Sequence, residues 1–137
     1  MKKLLSITLV LLMLMGFSAC GSFTPRSDSV YIKVYNSTGC AIKRFALDEY
    51  ENSVLKSTTV AENANGSSFN PGEKIIFEVL DADPSTLSFV IETENEHGKR
   101  YSSKCLSAAV LSRGTIYAYS VELSGESLVL NYMGAER

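Results

Sequence analysis

The chain has no tryptophan, one histidine (His97), three cysteines and no excess of basic residues. Most of these shortages remove a class of function. With a single histidine, and with no G-x-S-x-G around any serine, a Ser-His-Asp hydrolase has little to be built from. Cys40 and Cys105 are far apart in sequence and do not make a metal-ligand set with His97, so no metal is expected, and no other cofactor is expected either. A formal charge of −2 gives no electrostatic support for binding nucleic acid or anionic head groups. No apolar run reaches the roughly 20 residues that cross a bilayer comfortably.

What is present begins with Met1-Lys2-Lys3, an apolar run from Leu4 to Met15, and Gly16-Phe17-Ser18-Ala19-Cys20. These are the charged, apolar and cleavable parts of a secretory signal peptide. An ordinary signal peptidase cutting after Ala19 would want a small residue three back from the cut, where Phe17 stands. Phe17-Ser18-Ala19-Cys20 instead resembles the lipobox of bacterial lipoproteins, with Phe17 in the place usual for Leu. The resemblance implies that residues 1–19 are a lipoprotein signal peptide and that Cys20 is lipidated and becomes the first residue of the mature chain. Two or more acyl chains, at about 0.8 kcal/mol per buried CH₂, make the stable anchor that one chain does not. Gly21 rather than Asp follows Cys20, and no acidic run comes after it. By the same resemblance this implies the periplasmic face of an outer membrane.

With Cys20 assigned to lipid, Cys40 and Cys105 remain. Two spare cysteines in an exported chain are expected to form a disulfide in an oxidising compartment. Closing a loop of about 65 residues would stabilise the fold by up to about 4 kcal/mol. Residues 20–29 read as the lipidated cysteine and a short polar tether. As a free coil, Gly21 to Ser29 would span roughly 15–18 Å, and about 30 Å fully stretched. Residues 30–137 are of a size for one domain with its own core.

Val30-Tyr31-Ile32-Lys33-Val34-Tyr35 alternates at period two and predicts a half-buried strand. Further strands are expected over Cys40 to Leu47, Val54 to Val60, Lys74 to Leu80, Thr86 to Glu94, around Tyr101 to Cys105, Thr115 to Leu123 and Leu128 to Tyr132. Lys74 to Leu80 is apolar on both faces and reads as a central strand. Asp48 to Asn52 reads as a short helix or a polar connection. Tyr101, Ser103 and Cys105 share a face, which would point Cys105 inward. The pattern predicts an all-β fold, a single antiparallel β-sandwich of seven or eight strands following the cleaved signal helix. It resembles immunoglobulin-like or transthyretin-like domains in strand count and length. The absent tryptophan excludes the buried Trp beside the disulfide that marks antibody domains.

The candidate sites follow from this arrangement. His97 falls in a hairpin turn, between Glu96 and Gly98. Glu92, Glu94 and Glu96 project from one face, with Asp81 and Asp83 in the loop before that strand, but at a spacing that matches no calcium loop. A solvated strand face is the expected role of the three glutamates. The same-face pairs Tyr31/Tyr35 and Tyr117/Tyr119 are candidate binding residues, because tyrosine offers apolar area with a polar tip at low entropic cost. The function expected is therefore that of a non-catalytic, membrane-anchored envelope lipoprotein serving as a binding or assembly module. Its partners would be the membrane, through the lipid on Cys20, and an envelope protein. The alternative is a lipid-anchored inhibitor or immunity protein for a periplasmic enzyme or toxin, acting through a long acidic loop from Glu49 to Asn65. A hydrolase using paired carboxylates would require two acids converging in a deep pocket.

Overall fold

The computed structural model describes residues 23–79, 87–107 and 111–137. The signal segment, Cys20, Asp81 and Asp83 therefore lie outside the described residues. Nine strands are present among those described: β1 (Val30–Asn36), β2 (Ile42–Glu51), β3 (Val54–Ala61), β4 (Lys74–Val79), β5 (Leu87–Asn95), β6 (Arg100–Ser102), β7 (Leu106–Ser107), β8 (Thr115–Ser124) and β9 (Ser127–Glu136). They form a sheet of order β4-β1-β8-β9 and a second of order β3-β2-β5-β6, with β7 also pairing to β5. The all-β sandwich predicted from alternation is thus the fold. One pairing departs from the antiparallel expectation, since β1 and β8 run parallel, with Val30 opposite Thr115 and Asn36 opposite Val121. Period two identifies a strand but carries no information about its partner.

Alternation builds the core between the sheets. Val30, Ile32 and Val34 of β1, Ile75, Phe77 and Val79 of β4, and Tyr117 and Val121 of β8 face Phe45 and Leu47 of β2 and Phe89 and Ile91 of β5. Fully burying side chains of this size contributes roughly 1.5–3 kcal/mol each. The Lys74–Val79 strand is an edge strand of its sheet, not the central one its composition suggested. Its outward Ile76 lies opposite Lys33 and is half-buried, which accounts for the apolar residue on that face.

The connection expected after Asp48 does not exist as a helix or a loop. β2 continues to Glu51, turns tightly at Asn52 and Ser53, and returns as β3. Both turn residues have positive φ, 51° and 66°. That is the signature of the two-residue hairpin turn whose twist matches its strands, here made without glycine.

Strand direction gives the sandwich two distinct ends. At one, β1 and β8 begin while β4 and β9 finish, and the second sheet contributes the β2–β3 turn, with Glu51 opposite Leu87. The other end holds the β1–β2 connection and the β5–β6 and β8–β9 turns. It is stapled by Asn36, which is fully buried. The Asn36 Nδ2 donates to the carbonyls of Cys40 and Phe69 at 2.9 and 3.0 Å, and its Oδ1 accepts from the Thr38 backbone N–H and hydroxyl.

Candidate binding surface

The four candidate tyrosines do not form one exposed surface. Register places Tyr31 opposite Ile116 and Tyr117 opposite Ile32, so the two pairs lie on opposite faces of the same sheet. Tyr117 and Tyr119 point into the sandwich. Tyr117 is buried, and its hydroxyl oxygen accepts from the Ser112 backbone N–H at 2.7 Å. Tyr119 is half-buried, with its ring edge-on to Phe89 at 5.9 Å and tilted against Tyr132 at 5.5 Å. Burial, and secondarily the neighbouring Tyr132 and Tyr117, raise the Tyr119 hydroxyl above the usual tyrosine pKa.

Tyr31 and Tyr35 face outward, yet only 2% of Tyr31 is exposed. The chain ahead of β1 covers it. Phe23 packs edge-on against the Tyr31 ring at 5.0 Å, and the Arg26 backbone N–H donates to the Tyr31 hydroxyl at 3.0 Å. The Tyr31 hydroxyl in turn donates to Glu78, which also accepts from the Ser29 hydroxyl at 2.8 Å. Tyr35 is half-buried, and between the two tyrosines Lys33 is buried with its ammonium paired to Glu136. Tyr31 and Tyr117 are thus structural, which corrects their assignment as contact residues.

The expected Cys40–Cys105 bridge is not formed. Both cysteines are free and exposed. Strand register supplies the reason: Cys40 precedes Ile42, which lies opposite Asn95, whereas Cys105 precedes Leu106, which lies opposite Phe89. At about 3.3 Å per residue along β5 these positions are more than 15 Å apart, and a disulfide needs Cα atoms within about 7 Å. Alternation had pointed Cys105 inward, but β6 ends at Ser102, so the period does not carry through.

The outward carboxylates of β5, Glu92 and Glu94, and Glu96 in the turn after it are each engaged. Glu92 accepts from the Ser102 hydroxyl at 3.2 Å, Glu94 pairs with Arg100 at 2.9 Å, and Glu96 accepts from the Ser68 hydroxyl at 2.8 Å. Among the described residues no three His, Cys, Asp or Glu side chains are grouped to hold a metal. A depression lined by Arg44, Ala46, Glu92, Thr93, Glu94 and Arg100 has a volume of about 180 Å³ even with the solvent open to it. Ligand pockets are usually about 300 Å³ or larger. His97 is exposed in the Asn95–Lys99 turn, where its backbone N–H is held by the Asn95 side chain at 3.0 Å.

Exposed apolar area lies elsewhere. On β9, Tyr132 and Met133 are 58% and 59% exposed, with Val129 on the same strand. β9 is an edge strand, and its register shifts between Ala118 and Tyr119, so that Met133 is the extra residue of a bulge. Gly134 follows with φ of 137°, a backbone open to glycine and strained for other residues. Among the described residues the other large apolar side chains this exposed are Phe23, Val54, Leu55 and Val60. Tyr132 could have been flagged from its period-two spacing to Leu128 and Leu130, which places it at the apolar rim of the sandwich. The bulge that exposes Met133 leaves no clear mark ahead of Gly134.

No protein-family model matches the chain, and no curated protein sequence matches it. Among solved structures, the NMR structure of a protein from Eubacterium rectale is similar at 11% identity and a TM-score of 0.51, over 77% of this chain and 88% of that one. The T6SS lipoprotein TssJ1 from Pseudomonas aeruginosa aligns at 11% identity and a TM-score of 0.44, over 81% of this chain and all of its own. At such identity, the first similarity is one of fold alone.

Proposed function

We propose that the chain is a lipid-anchored, non-catalytic module of the bacterial cell envelope, held by Cys20 at the periplasmic face of an outer membrane and acting by binding an envelope protein. The observation that carries the reading is Phe17-Ser18-Ala19-Cys20 at the end of an apolar run that is itself preceded by two lysines. The form of the domain supports a binding role. Glu92, Glu94 and Glu96 are committed to neighbouring serines and Arg100, while the β9 edge presents Tyr132, Met133 and Val129 to solvent. Tyrosine beside methionine on a half-open edge combines apolar area with an adaptable surface. The inhibitor alternative loses its motive, because Glu49 to Asn65 is mostly hairpin and not a protruding loop.

Metabolic labelling with a fatty-acid probe tests the anchor. Wild type should be tagged and Cys20→Ala should not, and equal tagging of both would refute it. Crosslinking in the intact envelope tests the binding role. One stoichiometric partner should be recovered, and recovery should drop at least several-fold in Tyr132→Ala with Met133→Ser. Undiminished recovery would remove the β9 edge from the interface.

A further inference from the structure

The segment ahead of β1 is not a free tether. Phe23 sits on Tyr31, Arg26 is bonded through its backbone to the Tyr31 hydroxyl, and the Arg26 side chain lies 3.8 Å from Glu78. The Ser29 carbonyl accepts from the Gly114 backbone N–H at 2.7 Å. A Cβ added to Gly114 would meet the Ser27 backbone at 3.5 Å, so the segment lies close against the start of β8. Cys20 lies three residues before Phe23, a separation of at most about 11 Å. The head-group layer on each side of a bilayer takes up roughly 5–8 Å of that distance. A diacylglycerol on Cys20 would therefore bring Phe23 to within a few ångströms of the membrane surface.

We propose that the end of the sandwich carrying Phe23 and the Asn52–Ser53 turn rests directly on the bilayer that holds the lipid on Cys20, in one fixed orientation. This deepens the lipid-anchor reading and rests on it. Phe23 packs on the second residue of β1, so it belongs to the end where β1 begins. The β2–β3 turn lies at that same end, since Glu51 is opposite Leu87 and β5 starts where β4 has just finished. Beside the turn, Val54 and Leu55 are 61% and 51% exposed, and Phe23 is 48% exposed. Three large apolar side chains thus stand at the end nearest the anchor.

Charge identifies the kind of membrane surface. Arg26 is paired with Asp28 and lies near Glu78, and Lys56 is paired with Glu51 at 2.9 Å, so the cations beside Phe23 and beside the turn are offset locally. The contact is therefore apolar and interfacial, and a zwitterionic bilayer should suffice. Val54 and Leu55 also begin an edge strand, which a protein strand could pair. The short covalent distance from Cys20 to Phe23 favours lipid as the occupant of this site.

The test uses the full lipoprotein, purified with its lipid and reconstituted in phosphatidylcholine vesicles containing a photoactivatable phosphatidylcholine, with labelled peptides mapped by mass spectrometry. Label is expected on peptides covering residues 23–29 and 52–55, at least ten times more than on the opposite turns at 95–99 and 124–127. Val54→Asp with Leu55→Asp should abolish the turn label while the melting transition and the acyl mass on Cys20 are retained. Equal label at both ends, or label on 23–29 without 52–55, would overturn the orientation while leaving the anchor standing. An N-terminal peptide without acyl mass would overturn the anchor and, with it, the orientation. Repeating the labelling in native envelope vesicles separates the remaining case: a protein crosslinked at 52–55 in place of lipid would overturn the bilayer contact.

Discussion

Thr93 offers a direct test of how the core is assembled. It lies on β5 opposite Phe45 of β2 and Tyr101 of β6, is 2% exposed, and its hydroxyl has no hydrogen-bond partner. A buried hydroxyl left unbonded costs roughly 1–3 kcal/mol. Thr93→Val replaces it with a methyl group of nearly the same shape, keeps the β-branched side chain that suits a strand, and adds apolar burial worth up to about 0.8 kcal/mol. The variant should be more stable by about 1–3 kcal/mol, which for a domain of this size is a rise in Tm of roughly 4–12 °C. Urea unfolding should show a higher midpoint at unchanged slope. Thr93→Ser keeps the hydroxyl and deletes the methyl, so the stability order should be Val above Thr above Ser. A Val variant equal to or less stable than wild type would mean that the hydroxyl is bonded in solution, and the placement of this core position would be wrong.

Ser53→Gly relieves a left-handed backbone that costs a non-glycine residue about 1–2 kcal/mol, against about 0.5–1 kcal/mol of added chain entropy, so thermal unfolding should rise by a few degrees. Burial raises the pKa of Glu49 above the usual carboxylate range, only partly offset by a hydrogen bond from Ser57. The folded state therefore holds that proton more tightly, and stability falls as pH rises from the ordinary glutamate range through the raised value. Glu49→Gln should lack this fall in a pH series of urea midpoints, and parallel profiles would contradict it. Asn36→Ala removes one of two donors from each of the Cys40 and Phe69 carbonyls and the acceptor of the Thr38 backbone N–H, and should cost about 1–3 kcal/mol by the same measurement. A thiol reagent should react with Cys40 and Cys105 in the native, unreduced protein, and silence at both would restore the bridge.

Period two in Val30 to Tyr35 correctly assigns Val30, Ile32 and Val34 to the inside. It says nothing of what covers the other face, and Tyr31 is buried by a segment whose own sequence has no periodicity. Tyr117 and Tyr119 were rightly paired on one face, but which face depends on register against β1, a contact between strands far apart in sequence. The Asn52–Ser53 turn was obscured for a local reason: it lacks the glycine by which such turns are usually recognised. The disulfide was inferred from compartment chemistry, and register is the quantity that overrules it.

The docked N-terminal segment links these points to function. A free coil of nine residues would let the domain tumble and present any face to a partner. A segment fixed over Tyr31 and bonded to Glu78 would couple the orientation of the sandwich to that of the proposed lipid anchor. Were the Phe23 end to rest on the bilayer as proposed, the surfaces left for a partner would be the opposite turns and the two sheet edges. The opposite turns are polar and tied together, with Lys99 3.5 Å from Glu126 and Ser68 bonded to Glu96. The β9 edge exposes Val129, Tyr132 and Met133 alongside polar Asn131, and Tyr132 is braced there against Tyr119 and so loses little freedom on binding. Orientation and recognition are then separable. Val54→Asp with Leu55→Asp should loosen orientation without touching the Tyr132 surface, and Tyr132→Ala should weaken the partner without moving the domain on its membrane.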